Sequence, residues 1–140
     1  MPTKVLIADD SLLMRSAIRK TLQEETRIKI VGEASSFAET VQLVGNLKPD
    51  VLLLDLHLPE KRDFPPALVK SQLGTVCTLA VSFSNDSDSR ALSESYGAAK
   101  LLDKMNLYRE MIPAIIRCRS EVSGSEKQLP GPPKRRTQAA

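Results

Sequence analysis

Short, nearly unbroken apolar runs alternate along this chain with longer stretches in which apolar residues recur every three or four positions. Lys4-Val5-Leu6-Ile7-Ala8 is the first run, and it ends at Asp9-Asp10. Leu12, Leu13, Ala17, Ile18 and Leu22 then follow at helical spacing, with Ser11 placed to cap that helix. Ile28 to Gly32 reads as a second strand, and Ser36 as the cap of a helix carrying Phe37, Val41, Leu43 and Val44. Lys48-Pro49-Asp50 breaks this helix. Val51-Leu52-Leu53-Leu54 is apolar on both alternating faces, as in a central parallel strand covered from both sides, and it ends at Asp55.

Pro65-Pro66 opens a third helix that Gly74 ends, and Val76 to Val81 is a fourth strand closing at Ser82. A weaker helix runs from Asp86 to Tyr96 and stops at Gly97. Lys100-Leu101-Leu102 is a short fifth strand, followed by Asp103-Lys104. A last helix extends from Asn106 or Leu107 to about Glu121, with Pro113 expected to bend it. Five β–α units within about 120 residues predict a parallel sheet with helices on both faces.

In such a sheet, sites form beyond the carboxyl ends of the strands. The polar residues collect there: Asp9 and Asp10 after the first strand, Asp55 after the third, Ser82 after the fourth and Lys104 after the fifth. Neighbouring first and third strands would bring three carboxylates together, an arrangement that needs a cation or protons to offset its repulsion. Carboxylate oxygens and water suit Mg²⁺. A carboxylate is also a nucleophile for phosphoryl transfer, with an ammonium and a hydroxyl placed to bind the phosphoryl oxygens. Each residue taken alone has an ordinary reading: Asp9 or Asp10 as a helix cap, Asp55 and Ser82 as turn residues, Lys104 as a solvated lysine. Their joint placement at strand ends favours the functional one. His57, the single histidine, has no Cys or His partner at zinc-ligand spacing.

Composition refines this picture. The chain is 140 residues, 41% hydrophobic and 26% charged, which suits one globular domain. No run approaches the roughly 20 apolar residues that span a bilayer, and the start lacks the apolar core of a secretory leader, so a cytoplasmic location is expected. Cys77 and Cys118 are too few for a disulfide framework and read as small residues kept reduced. The net charge of +3 arises from Gly124 onward, where Lys127, Lys134, Arg135 and Arg136 face only Glu126. The body is therefore balanced, and the basic tail offers weak, salt-sensitive attraction to an acidic partner or nucleic acid, with little sequence readout.

The residues at the strand ends also carry a family resemblance. Val5-Leu6-Ile7-Ala8-Asp9-Asp10-Ser11 with Arg15, Ile30-Val31-Gly32-Glu33-Ala34, Pro49 to Asp55 with Leu58-Pro59, and Gly97-Ala98 before Leu101-Leu102-Asp103-Lys104 resemble the receiver domains of two-component response regulators, particularly those of LuxR-type regulators. The likeness spans roughly residues 3–120. It implies a flavodoxin-like fold with strand order 2-1-3-4-5. It further implies phosphate acceptance on Asp55 from a histidine kinase or histidine phosphotransfer protein. Mg²⁺ would be held by Asp10, Asp55 and the backbone carbonyl of His57, with Asp9 acting largely through water, while Ser82 and Lys104 would contact the phosphoryl group.

The domain division expected is a receiver over 1–122 and a disordered Pro/Gly/basic tail over 123–140. With no helix-turn-helix in that tail, the expectation is a stand-alone receiver that is a phosphoacceptor rather than an enzyme, apart from possible Mg²⁺-dependent self-dephosphorylation. The sequence departs from the family pattern at Asp63, where glycine is usual, at Phe83, where a small residue is usual, and at Leu101, where an aromatic residue is frequent. These departures motivate an alternative: a degenerate receiver acting as a phosphorylation-independent interaction module. An Mg²⁺ phosphatase with an aspartate nucleophile is disfavoured, because His57 stands where such enzymes carry a second acid.

Overall fold

The computed structural model describes residues 1–59 and 62–128, with side chains described up to Arg119. Five parallel strands form one sheet: β1 (Thr3–Ala8), β2 (Ile28–Ala34), β3 (Val51–Asp55), β4 (Cys77–Ser82) and β5 (Lys100–Asp103). Their spatial order is β2-β1-β3-β4-β5, as expected. The helices are α1 (Leu12–Leu22), α2 (Phe37–Leu47), α3 (Pro66–Leu73), α4 (Ser87–Ser95) and α5 (Leu107–Gln128), with one 3₁₀ turn at Lys104–Asn106.

Period-two alternation sorts the strand residues into two cores. Val5, Ile7, Val51, Leu53, Leu79 and Val81 face Ile18, Leu22, Met111 and Ile115 of α1 and α5. Leu6, Ala8, Leu52, Leu54 and Ala80 face Phe37, Val44, Val69 and Leu73 of α2 and α3. Burial on both sides is why β3 is apolar at every position before Asp55.

The helix boundaries follow local chemistry. Ser11 and Ser36 cap α1 and α2, accepting from Met14 N and Glu39 N, and Asp86 caps α4 by accepting from Ser89 N. Gly97, at φ 80°, turns the chain out of α4 in a conformation that L side chains avoid.

Three features differ from the sequence reading. Leu12 and Leu13 are 68% and 82% exposed, because the first turn of α1 extends past the sheet; the buried stripe runs through Ile18 and Leu22. The structure joins Cys77 and Cys118 in a disulfide with Cα atoms 6.2 Å apart, where two separate reduced thiols were expected. Local sequence could not show that α5 folds back over the start of β4. The last helix runs to Gln128, past residue 122, since extending an existing helix fixes only one residue per added hydrogen bond and no proline intervenes before Pro130. Of the expected tail, residues 129–140, with the Lys134-Arg135-Arg136 cluster, lie outside the described residues. Among the described residues Lys48 is the only non-glycine with positive φ, so Asp63, where the family pattern has glycine, takes no left-handed conformation.

Candidate functional site

Three carboxylates meet at the carboxyl end of the sheet. β1 and β3 are adjacent, with Ala8 opposite Leu54, so the residues that follow each strand emerge side by side. Asp9, Asp10 and Asp55 each present an oxygen within 4.8 Å of the others. Asp9 and Asp55 are buried, whereas Asp10 is exposed. Because Ser11 caps α1, neither acid is consumed as the helix cap; Asp9 Oδ1 instead accepts from Ser11 N at 2.8 Å, which orients its carboxylate.

Lys104 reaches this cluster from the turn after β5. Its Nζ lies 3.0 Å from Asp9 Oδ2 and 3.4 Å from Asp55 Oδ2, and its side chain is only 8% exposed. Burial works against the ammonium, but the paired Asp9 and Asp55 more than offset it and raise the Lys104 pKa above the ordinary lysine value. For Asp55, burial is the largest influence and raises the carboxyl pKa, with the Asp9 charge adding to it; the His57 N–H and Lys104 oppose the rise without cancelling it. The His57 N–H donates to Asp55 Oδ1 at 3.0 Å, fixing the second oxygen.

Ser82 ends β4, where Asp55 pairs with Val81, so its hydroxyl stands on the same rim. Ser82 Oγ accepts from Ser84 N at 3.1 Å and lies 3.4 Å from His57 Nε2. The structure thus brings Asp9, Asp10, Asp55 and Lys104 into one cluster, with His57 bonded to Asp55 through its N–H and Ser82 at the neighbouring strand end. Phe83 does not close the site: its ring is 63% exposed and stands 5.0 Å from Lys104 Nζ, a cation–π distance. Leu101 is half-buried against the α2–α3 core.

Arg15 has a supporting role that its sequence position alone does not reveal. Its Nη1 donates to the Asp9 carbonyl at 2.5 Å while its Nε pairs with Glu33 Oε1 at 2.9 Å, and Arg19 Nε holds the other Glu33 oxygen at 2.6 Å. Partial burial would raise the Glu33 pKa, but Arg19 and Arg15 outweigh it and hold the carboxyl below its usual range. Only the pairing of β2 with β1 brings Glu33 opposite Ile7 and within reach of α1.

A prediction follows for this clamp. Because its folded pKa is depressed, the stability Glu33 contributes is present above its ordinary pKa of 4.5 and is lost as pH falls through the lower folded value. Glu33→Gln is expected to cost about 1 kcal/mol at pH 7 and progressively less as pH falls below 4.5, read from urea unfolding at neutral and acidic pH. An equal loss at both would contradict an ionic clamp.

The acidic cluster fits a hard divalent cation on charge. Three carboxylates share one nearby ammonium, leaving an excess of negative charge among oxygen ligands at the mouth of the site. The same surroundings suit a phosphoryl group, with the Lys104 ammonium at the cluster and the Ser82 hydroxyl at the adjacent strand end.

Comparison with known proteins gives consistent results. The family model described as response regulator receiver domain matches residues 5–116. The transcriptional regulatory protein BtsR of Escherichia coli K12 is 50% identical over 56 residues, which is 40% of this chain and 23% of BtsR. Protein-glutamate methylesterase/protein-glutamine glutaminase 3 of Myxococcus xanthus is 36% identical over 110 residues, which is 76% of this chain and 31% of that protein. The chain therefore spans well under half the length of these curated relatives. Among solved structures, the signal receiver domain of NarL from Mycobacterium tuberculosis superposes with a TM-score of 0.75 at 26% identity, covering 85% of this chain and 97% of that one. The response regulator domain of Thermotoga maritima CheB shares the fold, with a TM-score of 0.75 at 20% identity, covering 86% of this chain and 98% of that one.

Proposed function

The chain belongs to the response regulator receiver domain family of two-component systems, and on that premise we propose that it accepts a phosphoryl group on Asp55 from a histidine kinase or a histidine phosphotransfer protein. The observation that carries this reading is Lys104 Nζ bridging Asp9 and Asp55, with the Ser82 hydroxyl on the same rim.

In the transfer, a carboxylate oxygen of Asp55 attacks phosphorus as the bond from phosphorus to the donor's imidazole nitrogen breaks. The histidine leaves with that electron pair. The His57 N–H and Lys104 hold the Asp55 carboxylate in place before attack. Once the group is bound, Lys104 and the Ser82 hydroxyl serve its oxygens. Asp9, Asp10, Asp55 and the His57 backbone carbonyl are the residues that would hold Mg²⁺, which when bound supplies neutralising charge to the transferring phosphoryl group. Exposed Leu12 and Leu13 lie just beyond Asp10, Phe83 follows Ser82, and Met105 follows Lys104, giving the mouth an apolar rim suited to a partner helix that presents a histidine.

Incubation with acetyl phosphate and Mg²⁺ is expected to add one phosphoryl group to the wild-type protein and none to Asp55→Asn, read by intact mass. A wild-type protein that binds Mg²⁺ yet stays unmodified would favour the second reading, a phosphorylation-independent interaction module. That reading draws on Phe83, whose exposed ring stands over Lys104 beside the approach to Asp55.

A further inference from the structure

Cys77 and Cys118 lie 41 positions apart, yet the fold brings their Cα atoms to 6.2 Å and joins their sulfurs. That separation falls within the range a disulfide spans without backbone movement. Cys77 is the first residue of β4 and is half-buried, whereas Cys118 on α5 is 2% exposed. The chain has two cysteines in all, so neither has a competing partner within it. Beside Cys118 opens a cavity of about 410 Å³ lined by Lys100, Arg109 and Arg117 together with Glu110. Three cations against one acid there favour a small anionic reagent close to the pair, of which half-buried Cys77 is the more accessible sulfur.

We propose that Cys77 and Cys118 form a reversible redox site whose oxidant is a low-molecular-weight anionic disulfide of the glutathione class, and that its oxidation ties α5 to β4. The site stands at the opposite end of β4 from Ser82 and is independent of whether Asp55 takes a phosphoryl group. In the first step the Cys77 thiolate attacks one sulfur of the small disulfide, forming a mixed disulfide and releasing one small thiol. In the second, the Cys118 thiolate attacks the Cys77 sulfur and expels the other small thiol. Two protein thiols are thereby oxidised and one small disulfide is reduced to two thiols, with the two thiol protons passing to the leaving thiolates.

The tie has a structural consequence. β4 ends in Ser82, and α5 begins directly after the turn that carries Lys104. The cross-link joins β4, which ends in the hydroxyl-bearing Ser82, to the helix that follows the Lys104 turn, and so restrains α5 against the sheet. In the reduced state α5 is held there by packing through Leu107, Met111, Ala114 and Ile115 and by the ion pair of Arg119 Nη1 with Asp50 Oδ2 at 2.6 Å.

The test is equilibration of the wild-type protein in a graded series of reduced and oxidised glutathione, acid quenching, and intact mass under non-reducing conditions. The expected product at the oxidising end is a monomer lighter by two hydrogens with no glutathione attached, returning to two thiols at the reducing end. Closing the intervening loop is expected to raise the melting temperature of the oxidised form by roughly 10 °C. Cys118→Ala, if folded by circular dichroism, is expected to retain one glutathione on Cys77; the wild-type series decides the matter even if that variant does not fold. Two free thiols throughout the series, a disulfide-linked dimer, or a bond that persists in the most reducing buffer would each overturn the proposal.

Discussion

Lys104→Met is expected to lower the stability of the metal-free protein by about 3 kcal/mol, although a single side chain of similar length is exchanged. The ammonium sits 3.0 Å from Asp9 Oδ2 and 3.4 Å from Asp55 Oδ2, and both carboxylates are buried. Removing it leaves two buried acids facing one another without a countercharge. Burial already raises the Asp55 pKa, and Lys104 is one of the groups opposing that rise, so the variant is expected to raise it further. The loss of stability is therefore largest at neutral pH and shrinks as pH falls through the raised Asp55 pKa and that carboxylate protonates.

Mg²⁺ provides the second readout. A divalent cation offsets the same repulsion, so it is expected to stabilise Lys104→Met by more than it stabilises the wild type, while Asp10→Ala responds to Mg²⁺ less than either. Urea unfolding of the three proteins with and without Mg²⁺ makes the comparison. A Lys104 variant that loses its Mg²⁺ response as completely as Asp10→Ala would show that the lysine organises the metal ligands rather than neutralising them.

Phe37→Ala is expected to cost about 3–5 kcal/mol, the range for emptying a fully buried aromatic site. Phe37 opens α2 and has no exposed surface. Its ring centroid lies 6.1 Å from that of Phe64, before α3, and 5.6 Å from that of Tyr96, at the end of α4. These three rings join the helices on one face of the sheet, and the cavity left by alanine cannot be filled by moving a single neighbour. Phe37→Leu keeps most of the apolar volume and is expected to cost under about 1.5 kcal/mol. Denaturant midpoints of the two variants measure the difference, and equal midpoints would show that volume at this position is not what binds the three helices together.

Much of the fold was legible from one dimension because its signals are local. The unbroken apolar runs Val5 to Ala8 and Val51 to Leu54 mark strands, the second read as covered on both faces, and both β1 and β3 proved to feed both cores. Ser11, Ser36 and Asp86 cap helices through contacts only three residues long. Asp9, Asp10, Asp55, Ser82 and Lys104 could be singled out because a parallel sheet places every strand's carboxyl end on one side. The first turn of α1 was less legible. Leu12 and Leu13 carry the same apolar signal as Ile18, and periodicity does not record where a helix projects past the sheet that would cover it.

What the sequence determined by itself was the element order, the strand ends at which polar chemistry gathers, and the family to which those motifs point. What only the tertiary structure decided was which distant groups touch: Lys104 with both Asp9 and Asp55, Arg15 with Glu33 and the Asp9 carbonyl, and Cys77 with Cys118. The physical reason is range. Backbone pattern, capping and turns depend on neighbours within a few residues, whereas these contacts depend on the order in which strands lie side by side and on the face over which each helix folds back.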